Sequence, residues 1–378
     1  MGSEMCIRDS LRAVTESAAA LERATANRDT GWPNPTIAMD RESARLGDHG
    51  EVEQSVTVTQ ALEISGQRGL RQRAAEELGR AGRMDADATR RAAASSARRR
   101  FWRVVLLQAQ HEVARDWFNR LTQASTRVSE RRAAGESSTY DVLRVEREVR
   151  AARASVERAR VEREVSWLEL LEVTGPLQAP ATWPRASGDL LPEDSRSDLN
   201  PVSERPDVLA WEARERAAEL ELSAARRGWI PQVELKAGWR HVDEAHHASS
   251  GLAAGIALSV PLFDRGQRDA AVARARIARA RGMKRLIEER AKRGRAPAQT
   301  RARQLILLSR QVRNETDRAA SELQTTAEAA WAGGELDLVE LLDVHRGRRD
   351  DALFVLELEH AARSAREDLR ALMLEERP

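Results

Sequence analysis

The 378-residue sequence holds a single cysteine, Cys6, which excludes an intrachain disulfide and a cysteine-based zinc site. It also lacks any run approaching the roughly 20 apolar residues of a membrane helix. Aromatic residues make up only 4% of the chain while 32% is charged, a balance that favours long helices over a thick globular core. Lysine occurs only at Lys236, Lys284 and Lys292, so arginine carries almost all of the positive charge. The 62 basic and 60 acidic residues nearly cancel and share the same segments, leaving no basic face for nucleic acid. No Gly-rich phosphate loop, HExxH helix or nucleophile with its base is present, so neither an enzyme nor a cofactor is expected. The opening "MGSEMCIRDS" has neither the basic stretch nor the apolar core of a secretory signal. Residues 1–10 read as an atypical leader.

An internal duplication is the strongest positive signal. "SVTVTQALEISGQRGL" (Ser55 to Leu70) aligns with "GIALSVPLFDRGQRDA" (Gly255 to Ala270), so that Gly66-Gln67-Arg68 falls on Gly266-Gln267-Arg268. "GWPNPTIAM" (Gly31 to Met39) pairs with "GWIPQVELK" (Gly228 to Lys236), and "RAAGESSTYDVLRVER" (Arg132 to Arg147) pairs with "WAGGELDLVELLDVHR" (Trp331 to Arg346). Three blocks in the same order define two copies of one unit, over residues 11–173 and 207–376. Residues 174–206 hold half of the chain's prolines and read as the linker.

Each copy predicts two strands followed by two helices. In the first, strands are expected at 35–45 and 51–64 and helices at 66–132 and 137–173. In the second, strands are expected at 230–241 and 251–263 and helices at 264–331 and 335–374, after a helix over 207–227. Period-two patterning marks the strands: Val52, Val56, Val58 and Leu62 alternate with polar residues, and Leu252, Ala254, Ile256, Leu258, Val260 and Leu262 alternate with small ones. Strands of this length span a bilayer when tilted. Trp32, Trp229 and Trp239 are placed near strand ends, where interfacial aromatics concentrate. The return helix carries a seam of Val142, Val145, Val149, Ala152, Val156 and Ala159 at alternating spacings of three and four. Pro297 falls inside the second long helix, where it is expected to remove a hydrogen bond and bend the chain.

These features resemble the TolC-like outer-membrane efflux proteins, in particular the branch that serves heavy-metal and multidrug pumps of the resistance-nodulation-division type. The resemblance rests on "ERPDVLAWEARERAAELELSAARRGWIPQVELKAGWR", "ALSVPLFDRGQRDAAVARARIARA" and "AGGELDLVELLDVHRGRRDDALFVLE", and it covers about Leu11 to Met373. It implies a mainly α fold with membrane β-strands. Two tandem strand-strand-helix-helix repeats would form a homotrimeric twelve-stranded β-barrel continued by a coiled-coil tunnel across the periplasm. The implied location is the outer membrane, with lipid around the barrel and with a periplasmic adaptor and an inner-membrane pump as partners. The signal peptide such a protein uses is not in this chain. A periplasmic coiled-coil adaptor or structural binding protein is the alternative reading.

The resemblance also places site residues. Gly135 and Gly334 fall on the family's helix-tip glycines, where the adaptor docks, and Glu340 and Asp343 fall on the two acidic positions of its gate. Three copies of each would ring the constriction with six carboxylates and favour cations. The segment "HVDEAHHASS" gathers His241, Asp243, Glu244, His246 and His247, weak candidates for a divalent cation site. Neither the cargo nor the partner pump can be read from the chain.

Overall fold

The computed structural model describes residues 32–46, 49–174, 182–193, 204–244 and 247–373, together with Glu16 and Ala20. Its strands are β1 (Thr36–Leu46), β2 (His49–Leu62), β3 (Gln232–Glu244) and β4 (His247–Ser259). Its helices are α1 (Gln67–Ala133), α2 (Thr139–Thr174), α3 (Pro206–Ala225), α4 (Gln267–Gly333) and α5 (Leu338–Met373). The duplication is visible in the lengths: α1 and α4 have 67 residues each, α2 and α5 have 36 each. At 1.5 Å per residue the longer pair extends about 100 Å. The expected leader, the start of the first copy and much of the linker lie outside the described residues.

Two compact units emerge, and each draws on both sequence copies. Among the described residues, one contains 32–88 and 204–288 and the other contains 89–193 and 289–373.

In the first unit the four strands form one antiparallel sheet in the order β1-β2-β3-β4. Its register decides which residues share a face, because directly opposed residues point the same way. Ile37 lies opposite Val58, which lies opposite Ala237, which lies opposite Ala254. Likewise Met39, Val56, Trp239 and Leu252 form one row, and Leu235 faces Ile256. The apolar faces expected separately for the two copies are therefore one continuous face. It is open: Leu252 is 92% exposed and Met39 78%. The opposite face carries Asp40, Glu42, Glu53, Lys236 and Arg240 beside the small residues Ala253, Gly255 and Ala257, with Arg240 paired to Glu53. Trp239 sits in the middle of β3 rather than at a strand end. Only Trp32 and Trp229, both exposed, flank strands, and Trp32 lies under the Arg68 guanidinium at 4.6 Å.

The strand-to-helix junctions depend on glycine. Gly66 and Gly266 both have positive φ, +68° and +85°. Asp264 accepts a hydrogen bond from the Gly266 N–H at 3.0 Å, and Gln267 donates to the Phe263 carbonyl at 2.7 Å, closing the turn before α4. A Cβ on Gly266 would stand 2.2 Å from the Ala225 carbonyl oxygen, whereas one on Gly66 would meet only the tip of Arg227. Charge then ties α3 to its neighbours in this unit: Arg281 bonds Glu215 at 2.6 Å and Glu219 at 2.9 Å, and Arg216 bonds Glu77 at 3.1 Å.

In the second unit the helices pack through small and aliphatic side chains. One core joins Trp117, Leu121 and Val128 of α1, Val145 and Ala152 of α2, Ala327 and Trp331 of α4, and Leu341 and Leu342 of α5. Val145 and Ala152 are buried members of the predicted seam, with Val142 and Val149 packed alongside. Trp183 of the linker stacks on Trp167, and Gln108 exchanges two hydrogen bonds with the Ala186 backbone, at 3.1 and 3.0 Å. α4 runs through Pro297 as unbroken helix.

Gly266→Ala is expected to destabilise the chain by about 1–2 kcal/mol through the left-handed backbone, with about 1–3 kcal/mol more from overlap with Ala225. Gly66→Ala carries the first cost only, since a flexible side chain can move. Thermal unfolding of the two variants side by side measures the difference.

Candidate channel gate and helix tips

Both hairpin turns use one device twice. α1 ends with Gly135 at φ +80° and α4 with Gly334 at φ +79°. Glu136 N–H donates to the Arg131 carbonyl at 2.8 Å and Gly135 N–H to Arg132 at 3.1 Å, a Schellman closure. In the second copy Glu335 N–H reaches Ala330 at 2.9 Å and Gly334 N–H reaches Trp331 at 3.2 Å. A Cβ on Gly135 would meet nothing, so positive φ is what calls for glycine there.

The return helices start with reciprocal caps that sequence reasoning missed. Ser138 accepts from Asp141 N–H at 3.1 Å while Asp141 accepts from Ser138 N–H at 3.0 Å. Asp337 and Glu340 repeat the exchange at 2.8 and 3.1 Å. The signal was available as a capping residue followed three positions later by a carboxylate. Glu340, an expected gate residue, thus closes a capping box as the third residue of α5.

Asp343, the other expected gate residue, is exposed and bonds Arg346 at 2.8 Å. Arg346 also reaches across to Glu148 of α2 at 2.8 Å, and Arg147 approaches the same carboxylate at 2.9 Å. Glu148 is 7% exposed. Burial pushes its carboxyl pKa up, and the two guanidiniums more than offset this, leaving it below the usual range. Glu340 and Asp343 lie on the exposed side of α5, while Leu341, Leu342 and His345 turn into the core. At the α1 and α4 ends, Arg131 donates to the Trp331 carbonyl at 3.2 Å and stacks over its ring at 5.5 Å.

The weak metal candidates do not converge. By register His241 and Asp243, opposite Ser250 and Ala248, share one face of the sheet; His247, paired with Glu244, belongs to the other. His241 instead stacks on Trp239 and bonds Ser250 at 2.8 Å through Nδ1. His246 lies outside the described residues. Among the described residues, no three His, Asp, Glu or Cys side chains gather to hold a metal.

No family model matches the chain. Over 266 residues it is 28% identical to the nickel-cobalt-cadmium resistance protein NccC of Alcaligenes xylosoxydans xylosoxydans; the match covers 66% of this chain and 58% of NccC, less than two thirds of that relative's length. Over 155 residues, 37% of this chain and 31% of the relative, it is 29% identical to outer membrane protein OprJ of Pseudomonas aeruginosa. The crystal structure of CusC, described in terms of transmembrane channel formation, matches with a TM-score of 0.74 over 96% of this chain and 88% of CusC, at 18% identity. The fold is therefore that of the TolC-like outer-membrane channels. In sequence the chain is similar to a nickel-cobalt-cadmium resistance protein and to an outer membrane protein.

Acid is expected to loosen the helical unit in two stages. His111, His345 and His360 are held below their ordinary value near 6.5, in each case chiefly by burial. A depressed histidine contributes stability that is full above its unfolded pKa and is lost as pH falls through the folded one. Glu148 follows the same sign at lower pH, losing its contribution as pH falls through its depressed folded value. Thermal melting from pH 7.5 to 4 should show a falling midpoint. Arg346→Ala, which strips a buried carboxylate of one partner, should cost about 3 kcal/mol.

Proposed function

We propose that the chain is the outer-membrane channel of a tripartite efflux system, passively conducting substrates delivered by an inner-membrane pump through a periplasmic adaptor. The observation that carries this reading is the four-stranded sheet, apolar on one face across the rows of Ile37, Val58, Ala237 and Ala254 and of Met39, Val56, Trp239 and Leu252, with β1 and β4 as its edges. In lipid every backbone polar group needs a partner, so such a sheet must close. Three copies supply twelve strands, with the apolar face toward lipid and the charged and small face toward the lumen. The helices continue the conduit into the periplasm, and the turns at Gly135 and Gly334 are the surfaces an adaptor would meet. Similarity to NccC favours metal ions as cargo, OprJ points to the outer membrane, and CusC supplies the transmembrane-channel fold.

Glu340 and Asp343 are the gate residues of this reading. Capping fixes Glu340 without neutralising it, and Asp343 keeps one exposed flank, so three copies would place six carboxylates around the constriction. Supplied with an export signal, the chain should form heat-labile trimers in the outer membrane that conduct in planar bilayers and prefer cations. Glu340→Gln combined with Asp343→Asn preserves the cap geometry and removes the charge. It should raise open-state conductance and weaken block by multivalent cations; unchanged currents would remove these residues from the gate. A monomer after correct export would refute closure of the barrel.

A further inference from the structure

A pocket of about 430 Å³ opens among α1, α4 and α5 in the second unit, within the usual range of small-molecule sites. Its apolar wall comes from Val113, Trp117 and Leu356. Its three acids are already engaged: Asp116 with Arg120 at 2.8 Å, Glu112 with Arg185 at 3.0 Å, and Glu359 with Arg313 at 3.1 Å. Arg349 is also satisfied, bonding Asp350 at 2.6 Å and lying over Trp117 at 4.2 Å.

Two groups differ. Arg348 lines the pocket, half-buried, with no ion-pair or hydrogen-bond partner among the described residues. His345 lines it too, is only 5% exposed, and keeps its Nδ1 buried without a partner. Leaving a buried polar atom unpaired is costly, and a guanidinium beside an apolar wall is suited to a carboxylate. Every other charge in the pocket is compensated, so the net field is that of one unpaired cation.

We propose that this pocket binds a small organic monoanion, with its carboxylate on Arg348 beside His345 and its apolar body against Val113, Trp117 and Leu356. The site is built within one chain and goes beyond the conduit reading: it would give the channel a ligand that it does not transport. A cation or a neutral alcohol of the same shape fits the wall and lacks the charge.

Isothermal titration of the full chain with benzoate tests this against benzyl alcohol and benzylammonium. Benzoate should bind saturably at one site per chain, and Arg348→Gln should weaken it tenfold or more, the range of one charge-assisted hydrogen bond. Arg158→Gln, an exposed arginine paired to Glu162 on α2, should leave it unchanged. Arg348 holds no partner, so its variant should keep the wild-type circular dichroism and melting curve. Equal binding of benzyl alcohol, an unaltered Arg348→Gln affinity, or no saturable binding would each overturn the proposal. None of these outcomes bears on conductance, so the site can fail while the channel reading stands.

Discussion

Three carboxylates buried along α5 or against it, each held by an arginine on another element, fix the helical unit. Arg346 of α5 takes Glu148 of α2, Arg313 of α4 takes Glu359 of α5, and Arg98 of α1 takes Glu367 of α5 at 2.9 Å. α5 is thereby tied to each of the other three helices of the hairpins. Apolar packing alone would define this arrangement poorly, because the seams are built largely from alanine and valine, which slide past one another at little cost. A buried ion pair adds little net stability once desolvation is subtracted, yet a slipped helix leaves a charge uncompensated and is penalised by several kcal/mol. The pairs act on register more than on depth of the energy well.

The same economy explains the composition. A wall of narrowly packed helices offers little apolar area per residue, so alanine at the contacts and Arg-Glu pairs along the flanks replace the large side chains of a globular core. Aromatics are kept for particular places: Trp117 and Trp331 fill the core near the tips, and Trp102 receives the Arg363 guanidinium at 4.1 Å. Gly188 passes against the same ring so closely that a Cβ would come within 2.8 Å of it.

Strands and helices were legible because period and repeat agreed: the alternation in β2 and β4 and the alignment of Gly66 with Gly266 each point to the same unit. Register between strands was not legible. It depends on hydrogen-bond pairing of β2 with β3, which the sequence separates by about 170 residues, and so the single apolar face and the splitting of His241 from His247 emerge only in the fold. The position of Trp239 was misjudged for a related reason, since strand boundaries follow pairing and not composition. The caps at Ser138 and Asp337 were readable but overshadowed by the glycines beside them. Pairs such as Arg346 with Glu148 join residues far apart in a chain with 62 basic side chains, and no local pattern selects the right partner.

Pro297 shows how far tertiary context can override local preference. Its missing N–H leaves the Arg293 carbonyl without the usual partner four residues on, and a proline inside a helix costs about 3 kcal/mol relative to alanine. α4 nonetheless continues for about ten more turns at 3.6 residues per turn. Immediately after the proline, Ala298, Ala302 and Leu305 pack against Ala365, Leu369 and Met373 of α5. That contact reaches the first turn after the break, and Gly294 just before it lies against Leu372, whose methyls would stand 3.5 Å from an added Cβ. α5 thus grips α4 on both sides of the lost hydrogen bond. The helix is carried across its weakest peptide unit by its neighbour, which is why the duplicated lengths survive a proline that the first copy lacks.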